Sequence, residues 1–242
     1  QALSILPFET SGGRTPSSIA AGSIEISSRR MPVVIEGAHI VGAEGVTVVG
    51  AGAGPSRISI RQSLFQRNAS IALIAGDAGF EGDVILSDTT MHDNGAILFR
   101  GRGFPPSLTV LRAGYLTLTD NDAITIERIT DGASLSIANS IFFGNGAVAC
   151  RYTPDEPDVS PTIRLASLGP DGAENCIFDV SGDPTLGPLQ ANPGPLATLT
   201  RLPAAGSVVI DRATFCPDGS TDQRGVARPV GAACDFGAVE RD

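Results

Sequence analysis

An asparagine returns through the middle of the chain at almost even intervals: Asn68, Asn94, Asn121 and Asn145, spaced by 26, 27 and 24 residues. Each leads into a similar alternation, Ala-Ser-Ile71-Ala-Leu73, Gly-Ala-Ile97-Leu-Phe99, Asp-Ala-Ile124-Thr-Ile126 and Gly-Ala-Val148-Ala-Cys150. A period in the mid-twenties built from short alternating segments is that of a solenoid, in which every repeat is one turn of a coil.

With the asparagines as register marks, four apolar columns emerge. The third position after each gives Ile71, Ile97, Ile124 and Val148, and the fifth gives Leu73, Phe99, Ile126 and Cys150. Positions two apart share one face of a strand, so both columns point into a core. Upstream lie Phe65, Met91, Leu118 and Phe142, then Ile60, Leu86, Val110 and Ile137, the last column requiring a small insertion between Arg112 and Tyr115. The asparagines themselves fall at one corner, where their amides can bond along the axis. Gly42 fills the asparagine slot of an earlier turn, with Val46 and Val48 one residue out of register. His39 then shares the column of Phe65 and Met91, as a histidine at the end of the core rather than a base.

The pattern fades after Cys150, broken by Pro154, Pro157 and Pro161, and from Asp183 onward Pro and Gly dominate. The expected fold is all-β: a right-handed parallel β-helix, about six coils of 24–27 residues, with a disulfide-stapled C-terminal cap. Residues 1–180 form the β-helix with an N-terminal capping segment, and residues 181–242 form a Pro/Gly-rich cap that wraps back over the coil and packs on it, shielding the unpaired edge of the last coil.

Four cysteines, Cys150, Cys176, Cys216 and Cys234, make no CxxC pair and stand with only two histidines, which opposes a zinc site. Cys176 follows the core position Cys150 by one period, and neighbouring coils lie about 4.7–4.9 Å apart, within the Cα separation a disulfide accepts. The expectation is two bridges, Cys150–Cys176 and Cys216–Cys234, with one bridge and two free thiols as the alternative. Two bridges imply an oxidising compartment. A net charge of −9 opposes a nucleic-acid or anionic-membrane role. No apolar run is long enough for a spanning helix, so direct membrane insertion is not expected. Without a charged, apolar leader the chain reads as a mature soluble protein, and a start at Gln1 is compatible with removal of a signal peptide but equally with an arbitrary boundary.

Four stretches near the end resemble the recurrent ending of bacterial surface β-helix proteins of the choice-of-anchor Q group. They are Gly182-Asp-Pro-Thr-Leu-Gly-Pro-Leu189, Cys216-Pro-Asp218, Thr221-Asp-Gln-Arg-Gly-Val-Ala-Arg-Pro229 and Gly231-Ala-Ala-Cys-Asp-Phe-Gly-Ala-Val-Glu240. Upstream, the chain is similar to β-helices of the pectate-lyase-like type. The resemblance implies export to a cell surface or to the extracellular space. Within this ending Asp222, Arg224 and Asp235 could form a catalytic set, but Asp and Arg in a glycine-rich turn more often make a salt-bridged structural corner.

One polar row stands out on the coils. The sixth and seventh positions after the asparagines supply Arg100, Glu127, Arg128, Arg151 and Tyr152, with Arg102 nearby. Stacked arginines beside a tyrosine could grip the carboxylates of an acidic polysaccharide, and pectate-lyase-like enzymes use an arginine to abstract a proton next to such a carboxylate. The alternative is a surface ladder of opposite charges, Arg100–Glu127–Arg151, contributing about 0.2–1 kcal/mol per pair. A lyase would also need calcium. Asp155, Glu156 and Asp158 are the nearest carboxylates, with Asp77, Glu81 and Asp83 in another loop, but neither group has the spacing of a calcium loop. His92 beside Asp93 could pair as acid and base, although neighbours on a strand point opposite ways.

No cofactor is expected, with calcium reserved for the lyase alternative. The leading expectation is an exported, non-enzymatic surface or extracellular structural protein, acting in adhesion, matrix or self-assembly. Its partner would be itself or a cell-surface or matrix polysaccharide. The alternative is a pectate-lyase-like enzyme or binding protein for acidic polysaccharide.

Overall fold

Every strand that stacks along the axis pairs in parallel with the strand one period away, so the chain winds as a parallel β-solenoid. The computed structural model describes residues 18–19, 22–28, 32–50, 56–76, 82–102, 109–129, 133–153 and 163–241. Two sheets run the length of the coil. One contains six strands, Ser23–Ser28, Gly45–Gly50, Ser70–Ala75, Ala96–Arg102, Ala123–Ile129 and Ala147–Thr153. The other contains ten, among them the long strands Asp83–His92, Thr109–Thr119 and Ala133–Phe143. Among the described residues there is no helix, and so none long and apolar enough to cross a membrane.

The regular body is about four turns, those that pass through Asn68, Asn94, Asn121 and Asn145, rather than the six coils suggested by the repeat count. The two N-terminal strands of the six-stranded sheet extend it, but their turns lack the asparagine. The core is the stack of inward columns. Ile71, Ile97, Ile124 and Val148 are aligned in register, as are Leu73, Phe99, Ile126 and Cys150, and all are buried.

Two registers differ from the sequence reading. Ala113, not Val110, aligns with Leu86 and Ile137, and no insertion is present. Val110 pairs with Ser134 and is only half-buried. The column holds a small residue at that level, and smallness hid it from a search for large apolar side chains. Likewise the slot before Asn68 belongs to Ala43, whose N–H donates to Asn68 Oδ1 at 3.0 Å. Val46 and Val48 are therefore in step with Ile71 and Leu73. Ile40 takes the core position beside Phe65, and His39 aligns with Leu64.

The residue before each slot carries the backbone through the left-handed region: φ is 69° at Gly42, 53° at Arg67, 56° at Asp93, 58° at Asp120 and 67° at Gly144. Gly and Asp suit that conformation. A second left-handed corner recurs six residues before each asparagine, at Gln62, Asp88, Tyr115 and Asn139, with φ between 48° and 57°. It kinks the ten-stranded sheet and presents its outer half as a separate flank.

Residues from 181 onward pack along this flank, as a clasp reaching from His39 at one end to Asn139 at the other. The flank is apolar or hydroxylic (Leu64, Thr90, Thr117, Ile141), and the clasp buries all four residues. Val209 and Phe236 pack with Ile141 and Leu168 as a small second core. Gly237 makes the closest approach: a Cβ there would sit 2.7 Å from Ile141 Cδ1 and 2.8 Å from Thr117 Oγ1. The C-terminal end of the coil is closed by a different segment, residues 169–180, stapled by the disulfide Cys150–Cys176. Cys216–Cys234 forms the second bridge, within the clasp.

Candidate functional site

Three polar assemblies lie on this scaffold, and their geometry decides what each can do. The first is the row on the six-stranded sheet. Strand register stacks Arg100, Glu127 and Arg151. Arg100 Nη2 lies 2.7 Å from Glu127 Oε2, with Nε also donating to that oxygen at 2.8 Å. Arg151 Nη1 lies 3.7 Å from Glu127 Oε1. One carboxylate, largely buried, thus faces two guanidiniums. Arg128 is half-buried and pairs through its backbone with Gly101 and Tyr152. Arg102 is half-buried beside Ile129. The Tyr152 side chain and the acidic loop Asp155, Glu156 and Asp158 fall outside the described residues, as do Asp77 and Glu81. Asp83 is engaged by Arg57 at 3.2 Å and accepts from Val110 N–H. Among the described residues no group of carboxylates, His or Cys is arranged to hold a metal ion.

The second assembly is around His92. Its partner is not Asp93, which turns outward at the corner. His92 Nδ1 instead lies 3.1 Å from Thr119 Oγ1 and 3.3 Å from Asp120 Oδ2, one coil along. Asp120 is shared with Arg201 of the clasp at 2.7 Å. His39 also faces the clasp, 3.3 Å from Thr198 Oγ1, and burial pushes its pKa below the usual imidazole value.

The third and most buried assembly joins clasp to coil. The left-handed corner residues supply one side of it. Gln62 donates to Thr221 Oγ1 and to Asp222 O, at 3.0 and 2.8 Å. Tyr115 OH donates to Phe215 O. Asn139 Nδ2 donates to the same carbonyl at 3.1 Å, and its Oδ1 accepts from Thr214 N–H at 3.0 Å. Asp88 accepts from Arg228, whose guanidinium also pairs with Glu240 and lies 4.3 Å over the Tyr115 ring. On the clasp side, Arg224 grips Asp222 through Nε and Nη2 at 2.9 and 2.7 Å. Asp222 also accepts from the N–H groups of Arg224, Val226 and Glu240.

Asp222 and Arg224 are therefore a buried pair. Asp235 stands apart from them, its two oxygens accepting from Asp211 N–H and Arg241 N–H at 2.8 and 2.7 Å. Burial raises the Asp235 carboxyl to about 6 against those two hydrogen bonds. Asp88 is likewise raised to about 6 by burial, which outweighs Arg228. Arg228, Glu240, Asp88 and Tyr115 were not singled out from the sequence. The signal available was positional: Gln62, Asp88, Tyr115 and Asn139 share one offset from the asparagines but no side-chain chemistry.

No protein-family model, no curated protein and no solved structure matches this chain. The similarity of residues 182–240 to the choice-of-anchor Q ending therefore rests on its short motifs alone.

Proposed function

We propose that the chain is an exported, non-enzymatic structural protein of a cell surface or extracellular matrix, a short rigid rod that presents its faces to matrix polysaccharide. The observation that carries this reading is the clasp. One segment ties successive coils together through buried ion pairs and hydrogen bonds, and those polar groups are spent on one another rather than turned toward a substrate. Glu127, set between Arg100 and Arg151, pairs with the charge of the most lyase-like row at the surface of the coil. Two disulfides accord with an oxidising compartment, and the choice-of-anchor Q-like ending accords with a bacterial surface.

The test is incubation of the chain with polygalacturonate and alginate, following the ultraviolet absorbance of unsaturated uronates, alongside co-sedimentation with the same polymers and with insoluble cell-wall material. The expected result is retention on a polysaccharide without product. Product formation that disappears in Arg100→Ala would overturn the reading in favour of a lyase.

A further inference from the structure

The asparagine ladder stops at Asn145, and the way it stops leaves a shaped gap. At Asn68, Asn94 and Asn121 the backbone N–H and one Nδ2–H converge on a single oxygen, Oδ1 of the next asparagine, at 2.8 to 3.1 Å. The other Nδ2–H donates to a carbonyl of the preceding coil. Asn145 keeps the second of these bonds, to Leu118 O at 2.9 Å, and its Oδ1 serves Asn121. Among the described residues none supplies the oxygen on which its N–H and remaining Nδ2–H would converge.

The cause lies in the next corner. Ile141 and Ala149 are eight residues apart, but their partners on the following coil, Leu168 and Glu174, are only six apart. The turn through Pro170 and Asp171 cuts the corner short and brings no asparagine to it. A cavity of about 200 Å³ is left at that place, lined by Phe142, Phe143, Asn145, Val148, Pro170 and Asp171 among others.

We propose that this cavity binds the acetamido group of an N-acetylated amino sugar. The inference rests on the polysaccharide-facing scaffold reading and gives it a ligand. An amide oxygen is the group that the ladder itself places on such a donor pair. Asp171 also lines the cavity, and an aspartate there disfavours a carboxylate ligand and can accept from an amide N–H. Phe142 and Val148, both buried core residues, give the methyl group an apolar floor. The cavity has room for the acetamido group, and the sugar ring stays at the mouth.

The test is amide-resolved NMR of the full chain titrated with a β-1,4-linked trisaccharide of N-acetylglucosamine, the same trisaccharide without acetyl groups, and a glutamine-containing tripeptide. The backbone and side-chain amide signals of Asn145 should shift with the acetylated sugar alone. Asp171→Ala, at an exposed position, should keep the fold and weaken binding about tenfold, the value of one hydrogen bond to a charged group. Unmoved Asn145 signals would overturn the proposal. So would an equal response to the tripeptide, which would make this a peptide site, or undiminished binding by Asp171→Ala. Uronate release in the enzyme assay sinks the scaffold reading and leaves the Asn145 response to be judged by itself.

Discussion

Asn94 shows what a single residue does in this fold. Its Oδ1 accepts two bonds from Asn68, and its Nδ2 donates to Phe65 O and Asn121 Oδ1, all inside the protein. Truncation strips the acceptor from two buried donors, Asn68 N–H and Nδ2–H, while Asn121 Oδ1 keeps the bond from the Asn94 backbone N–H, and each buried orphan costs about 1–3 kcal/mol. Asn94→Ala should therefore destabilise by about 3 kcal/mol or more, read as a fall in the denaturant midpoint with an unchanged slope. Glu127 offers a contrast. Its partners Arg100 and Arg151 are 36% and 65% exposed, and exposed pairs contribute little. Glu127→Ala should cost no more than about 1 kcal/mol in the same assay. A loss as large as that of Asn94→Ala would mean that the row is a structural member rather than a surface ladder.

Among elements, the clasp depends on Arg228 more than on any other side chain. Its guanidinium touches Asp88 on the coil, Glu240 and Gly237 O on the clasp, and the face of Tyr115. Arg228→Met keeps much of the volume but strands two carboxylates, a defect of about 3–5 kcal/mol for a buried pair. Limited proteolysis of this variant should cut first between residue 181 and the C-terminus while the coil survives; a first cut within the coil would contradict the assignment of the clasp as a separate layer. The solenoid was legible in the sequence because its signal is local and repeated: a column of Ile or Phe every 24 to 27 residues announces itself. Where the side chain shrinks, as at Ala113 or Ala43, the register was lost, although the backbone never left it. The site between clasp and coil was less legible for a different reason. Its members lie more than a hundred residues apart, as Gln62 and Asp222 do. Along the coil they share a left-handed backbone instead of a chemistry, so no motif joins them.

For the molecule as a whole, the two elevated carboxyls predict a contribution to stability that is larger on the acid side. Asp88 and Asp235 have folded pKa values of about 6, against about 3.9 for an unfolded aspartate. Between those values the folded chain holds protons that the unfolded chain has released, so the contribution of both groups is complete below about pH 4 and is lost as the pH rises through 6. The denaturant midpoint should fall across this window and level off above it, and Asp235→Ser should flatten the slope. A wild-type slope that Asp235→Ser leaves unaltered would contradict the assignment.

A stack of coils whose rungs touch only their neighbours behaves as a zipper: it opens from whichever end is weaker, one tooth at a time. The clasp changes that statistics. Because a single segment is fastened at His39, Gln62, Asp88, Tyr115 and Asn139, releasing the first coil means disturbing the same strap that holds the fifth. The rod should open all at once, in one steep transition, and fray in stages only after the strap is cut.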